Sequence, residues 1–240
     1  MATHDFGDGN GPVEAAQHPN GGGWVAKTAY VSAAAEIQLD AQVYGSARVY
    51  SNDDSNKVRI LGNARIFGNA YVYGTAKIFG NAKVYGSANV YGTANVYENS
   101  EIYGNARVFD NAYVFGNAKI YGASKIFDNA YIYGTARVYN RALISGTAKV
   151  YDSAVVYGNV KVYGDASIYG VDTLVSGNSV ISGVSKIYDG AKVSGNAYVY
   201  GKAQVKQGSN VYNEAQVYGD AIIMNFTIDD DDEYYTGLNQ

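Results

Sequence analysis

The stretch Ala82-Lys-Val84-Tyr-Gly-Ser-Ala88-Asn-Val90-Tyr-Gly-Thr-Ala94-Asn-Val96-Tyr97 decides how this chain folds. It repeats a six-residue phrase: Ala, a variable residue x, Val, Tyr, Gly, then Ser or Thr. Ala and Val stand two apart, so on an extended backbone they point to one side, while x and Tyr point to the other. The small-and-aliphatic side is the interior. Gly followed by a small polar residue turns the chain, because glycine takes a positive φ without a side-chain clash. Strands of about four residues separated by two-residue corners predict three strands to a coil.

The phrase extends far in both directions. From Ile60 to Ile168 every sixth residue is Val or Ile, nineteen in succession. Two residues before each stands Ala, replaced at places by Val58, Ser100, Ser124 or Val160. In seventeen of the nineteen units Tyr or Phe follows, which puts an aromatic ring outward on nearly every strand. The same phase holds upstream at Val25, Val31, Ile37, Val43 and Val49, and downstream from Val175 to Ile223. Two breaks interrupt it. Five residues are inserted within Ser51–Lys57, expected as a corner loop, and one extra residue near Val171-Asp172 is expected as a β-bulge.

These segments predict three regions: a Gly-rich N-terminal leader or cap over 1–24, the repeat over 25–228, and an acidic tail over 229–240. Both prolines, both histidines and Trp24 lie in the first. Trp24 is expected to cover the open core above Val25. The run Asp229–Glu233 is expected to keep another chain off the terminal edge. The core needs these ends, because a coil buries its apolar side only against its neighbours.

The spacing of an aliphatic residue and a small residue four later, as in Val84 with Ala88 and Ile120 with Ser124, resembles the hexapeptide repeat of left-handed parallel β-helices. The resemblance implies an all-β, single-stranded left-handed parallel β-helix. It would be a triangular solenoid of about eleven 18-residue coils, with crossovers that depart from the usual right-handed rule. The segment from His18 to Ala26, together with the repeat, resembles phage-encoded repeat proteins described as polymer-forming. That likeness implies a location on a virion or in a host cytoplasm.

Composition narrows the function. There is no cysteine, which excludes disulfides and thiolate metal sites. No apolar run reaches the ~18 residues of a membrane helix, and the first residues lack the pattern of a signal peptide, so no membrane partner is expected. A net charge of −4 argues against a nucleic-acid partner. Many hexapeptide proteins are acyltransferases with a histidine base and a coenzyme A site, but here His4 and His18 both precede the repeat. Asp53-Asp54 reads as a solvated turn before it reads as a metal site. No catalytic residue, metal or cofactor is therefore expected.

The unusual feature is the outward rings. Residues 18 apart share a face, so Phe67, Tyr85, Tyr103, Tyr121, Tyr139 and Tyr157 form one aromatic ladder, and two more run on the other faces. Cross-strand pairing of rings strengthens a sheet on its own account. Long exposed aromatic stripes also suit partners. The first face sets Arg65, Lys83, Lys119 and Arg137 beside Tyr85, Tyr103, Tyr121 and Tyr139, with Glu101 interrupting. That mixture suits a small anionic or sugar-like ligand, for example a signalling nucleotide. His18, Asn20 and Trp24 of the glycine-rich leader are further candidate binding residues, since glycine-rich backbone can cradle anions. The leading expectation is a non-enzymatic rigid spacer, decoration or adhesive element that forms a homo-oligomer, a trimer by preference. A ligand-sequestering protein is the alternative, and an acyltransferase stands behind both. An ice-binding face would require a flat array of small residues, which the rings preclude.

Overall fold

A computed structural model describes residues 2–229 and 233–235. They form strands, turns and loops with no helix among them. The chain divides into two compact units, Met1–Gly122 and Ala123–Gln240, and each is a parallel β-solenoid.

In the first unit, coils stack so that each strand pairs with its counterpart one coil on. Lys83 lies opposite Glu101 and Val84 opposite Ile102, the 18-residue step read from the repeat. Three sheets result. Face one carries strands Trp24–Ala26, Gln42–Val43, Arg65–Ile66, Lys83–Val84, Glu101–Ile102 and Lys119–Ile120. Face two begins at Glu36–Ile37 and face three at Tyr30–Val31. The Ser51–Lys57 insertion leaves the register intact, since Tyr50 still lies opposite Tyr73 and Ile37 opposite Ile60. It is a corner loop as expected. Asp53 Oδ1 accepts from the Ser55 and Asn56 amides at 2.8 Å each, and Ser51 Oγ accepts from the Val58 amide at 2.8 Å.

The second unit repeats the plan. Arg137–Asn140 pairs with Val155–Gly158 on face one, Tyr131–Ile132 with Lys149–Val150 on face two, and Lys125–Ile126 with Leu143–Ile144 on face three. The extra residue near Val171 is not a bulge. Leu174 and Val175 pair in full register with Val155 and Val156, and residues 170–172 lie outside the strands as a widened corner. A strand interior would lose ladder hydrogen bonds by absorbing an extra residue, whereas a corner only lengthens. The solenoid also runs past Ile228: Glu233–Tyr235 pairs with Gln216–Tyr218, inside the segment read as an acidic tail. Residues 230–232 of the acidic run lie outside the described residues.

The interior follows the repeat closely. Val and Ile at the third position and Ala at the first are fully buried from Ile37 to Val217. Each Val or Ile so buried is worth roughly 1.5–3 kcal/mol. Where Ser replaces Ala its hydroxyl reaches back to the corner. Ser100 Oγ donates to the Tyr97 carbonyl at 2.8 Å, and Ser179 Oγ to the Ser176 carbonyl at 2.6 Å. Such a partner removes the penalty of burying a hydroxyl.

Corners need left-handed backbone. Gly86 has φ 67°, and a Cβ there would sit 2.9 Å from the Gly104 amide nitrogen of the next coil. Some corners place an acid at the same φ and use it. Glu98 (φ 59°) accepts from the Gly116 amide at 2.8 Å through Oε2, and Asp128 (φ 57°) from the Gly146 amide at 3.0 Å. The hydrogen bond to the next coil offsets the strain that an L-residue meets there. Beside the corners, side-chain amides of Asn63, Asn81, Asn99 and Asn117 form a ladder with spacings of 3.1, 2.9 and 3.2 Å.

Candidate interaction surface

The outward rings stack on one another. On face one of the first unit, Tyr44, Phe67, Tyr85, Tyr103 and Tyr121 follow with centroid separations of 4.8–4.9 Å and interplanar angles of at most 8°. Face two repeats this with Phe79, Tyr97 and Phe115, and face three with Tyr73, Tyr91 and Phe109. The separations equal the spacing between coils, so the backbone itself sets the stack. The ring faces are thereby covered by neighbouring rings, and the ladder turns edges and hydroxyls outward. A sugar or base cannot lie flat on an inner rung.

Burial among other rings has an electrostatic effect. It raises the phenol pKa of Tyr73, Tyr91, Tyr133 and Tyr169. Tyr151, lodged between Tyr133 and Tyr169, is pushed up to about 12 by burial and then by its two neighbours. Tyr85 rises further still, through burial and then the adjacent Glu101 carboxylate. These phenols remain neutral hydrogen-bonding groups near neutral pH.

The cations expected to attract an anion on this face are occupied. Glu101 lies between two lysines, 3.6 Å from Lys83 Nζ and 3.6 Å from Lys119 Nζ, and also accepts from the Tyr85 hydroxyl at 3.3 Å. The residue that interrupts the basic row in sequence is the one that offsets part of its charge. Arg65 donates through Nε to Gln42 Oε1 at 2.9 Å and through Nη2 to the Phe6 carbonyl. Arg137 and Tyr139 belong to the second unit, where Tyr139 stacks on Tyr157 at 5.1 Å and Arg137 makes no ion pair among the described residues.

Sequence reasoning missed the contribution of the leader to face one. Thr3–His4 and Val13–Gln17 pair antiparallel, and Val13–Gln17 pairs antiparallel with Trp24–Ala26, extending the sheet at its first edge. The chain between them folds over the outer surface. Phe6, 1% exposed, stacks on Tyr44 at 4.8 Å, and His4 stacks on Trp24 at 4.4 Å. Trp24 occupies the outward x position, opposite Gln42, so it does not cover the core above Val25. Phe6 sits where the repeat lacks a ring: Val25 lies opposite Val43, which puts Ala26 in the rung before Tyr44. The signal was present as an aromatic missing at Ala26 and an isolated Phe upstream.

His18 and Asn20 lie elsewhere, on a loop along the first edge of face two. The Asn20 carbonyl accepts from the Ile37 amide at 2.9 Å, and the Gly23 amide donates to the Ile37 carbonyl at 2.8 Å. His18 Nδ1 accepts from the Asn20 amide at 3.2 Å and the ring is buried. A Cβ on Gly21 would collide with the Ile37 carbonyl and one on Gly23 with the Gln38 carbonyl, so the glycines let this loop act as a surrogate strand. Trp24, Arg65, Lys83, Tyr85, Tyr103, Lys119 and Tyr121 thus share face one of the first unit, while His18 and Asn20 serve face two.

Fold and surface together define a class: a parallel β-solenoid with stacked aromatic ladders on its faces. No protein-family model matches the chain, and no curated protein sequence matches it.

Proposed function

We propose that this protein is a non-enzymatic structural or interaction element, a stiff spacer or adhesive scaffold whose ladder edges pack against further copies of itself in a trimer. The observation that carries this reading is the mutual stacking of the rings, with Tyr85 on Tyr103 at 4.9 Å and Tyr103 on Tyr121 at 4.8 Å. Ring edges and hydroxyls in rows at coil spacing offer a long, regular, amphipathic surface suited to side-by-side packing. Glu101, shared between Lys83 and Lys119, offsets one of their two charges and weakens the case for an anionic ligand on this face. The likeness of residues 18–26 and the repeat to phage-encoded polymer-forming proteins with hexapeptide repeats supports the same reading.

Native mass spectrometry of the purified chain tests it. A multimer without a retained small molecule is expected, and replacing Tyr85, Tyr103 and Tyr121 with Ser should shift the mass toward the monomer while the β-sheet circular dichroism persists. A monomer with an unaltered variant would defeat the proposal, and a co-purifying anion would turn it toward ligand sequestration.

A further inference from the structure

On face three of the second unit the ladder has gaps. The ring positions run Phe127, Ser145, Tyr163, Ser182, Tyr200 and Tyr218, fixed by the pairings of Ile126 with Ile144, Ile144 with Val162, Val162 with Ile181, Ile181 with Val199 and Val199 with Val217. Tyr200 stacks on Tyr218 at 5.0 Å, so it holds the ladder orientation, with Ser182 in the rung on its other side. Among the described residues Tyr163 stacks on no ring, and it is 45% exposed. The coils carrying Tyr163 and Tyr200 are two spacings apart, roughly 9.5 Å. One flat ring set above Ser182 would lie about one coil spacing from each tyrosine, the separation that every complete ladder shows.

The surroundings of Ser182 are apolar. Val180 lies on the strand Val180–Ile181 that leads into it, and Val184, 49% exposed, takes a corner position that most coils give to Asn, Thr or Ser. Lys161 stands opposite Val180 and makes no ion pair among the described residues. The molecule already fills one incomplete rung in this manner: Phe6 supplies from a distant segment the ring that Ala26 lacks, stacks on Tyr44 at 4.8 Å, and becomes fully buried.

We propose that the Ser182 gap between Tyr163 and Tyr200 binds a small planar aromatic molecule bearing an anionic group. Its ring completes the ladder and its anion meets Lys161. Binding here does not depend on assembly through face one, and monomeric protein should bind equally well.

Titration of naphthoate followed by fluorescence anisotropy tests this on the full chain. Saturable binding is expected. Ser182→Tyr, which supplies the missing rung covalently, should weaken it about tenfold or more, and Lys161→Ala about two- to fivefold. Tyr163→Ser should also weaken it about tenfold. That variant keeps its fold, because Ser145 and Ser182 already occupy the equivalent positions of adjacent coils. Far-UV circular dichroism checks each variant. The proposal is overturned if naphthoate does not bind at millimolar concentration, if Ser182→Tyr and Tyr163→Ser bind as the parent does, or if cyclohexanecarboxylate displaces naphthoate as effectively as a competitor of equal affinity would.

Discussion

Replacing Phe6 with Ala should free the N-terminal segment while leaving the coils intact. Phe6 is the only side chain of residues 2–12 that is buried, and its removal forfeits about 3–5 kcal/mol of packing and transfer energy. What remains to hold residues 2–8 is the short pairing of Thr3 and His4 with Glu14 and Val13, the hydrogen bond from the Ala15 amide to the Ala2 carbonyl, the His4–Trp24 stack, the His4–Gln42 side-chain hydrogen bond, and the Arg65 hydrogen bond to the residue 6 carbonyl. Such hydrogen bonds contribute about 0.5–1.5 kcal/mol net each. They must oppose about 1–2 kcal/mol of backbone entropy for every residue kept in place. The detached form should therefore dominate. Trp24 is the only tryptophan, and in the intact protein it lies against His4 with an interplanar angle of 10°, so its emission reports this event alone. The expected result is a red-shifted Trp24 emission and faster amide exchange at residues 3–17, with an unchanged far-UV spectrum. Ala26→Tyr should produce the same Trp24 signal, because a ring from the first coil displaces Phe6. An unaltered Trp24 emission in Phe6→Ala would refute the idea that Phe6 acts as a rung, and collapse of the whole β signal would show that the solenoid cannot stand without it.

Further outcomes follow from the same physics. Val108→Asp puts an unpaired carboxylate at a fully buried position and should abolish cooperative folding of the first unit, read by thermal denaturation. Gly86→Ala asks an L-residue to hold φ 67° with its Cβ 2.9 Å from the Gly104 nitrogen, and should destabilise by more than about 1 kcal/mol in urea titrations. The phenol of Tyr151 has an ordinary pKa of 10.0 and is raised to about 12 in the fold. Its protonated form is favoured when folded, so this stabilisation is complete below pH 10 and is lost as pH climbs through 12. Tyrosinate absorbance should accordingly titrate later in the folded protein than in urea, and simultaneous titration in both would contradict the burial of the ladder.

The six-residue phrase determined the greater part of this protein. Strand phase, the identity of inward residues and the position of nearly every corner depend on neighbours in sequence, and a repeat states them over and over. Val84 must face inward and Gly86 must turn because their own chemistry leaves no alternative within the phrase. The hand of the winding does not follow from that logic and rests on the family resemblance. A one-residue surplus near Val171 has no local signature that separates a bulge from a widened corner; the pairing of Val156 with Val175 decided it.

Only the tertiary structure decided what the surface does. Sequence spacing placed Tyr85 and Tyr103 on one face, but their ring faces are hidden because coil spacing equals the stacking distance. The row of Arg65, Lys83 and Lys119 reads as an anion-binding site until Glu101 is seen to lie 3.6 Å from both lysines. Phe6 on Tyr44, and the Asn20 carbonyl on the Ile37 amide, join residues far apart in a segment that carries no repeat. Periodicity reports the contacts a residue makes with its own kind one coil away, and it is silent wherever a non-repeating segment completes the structure.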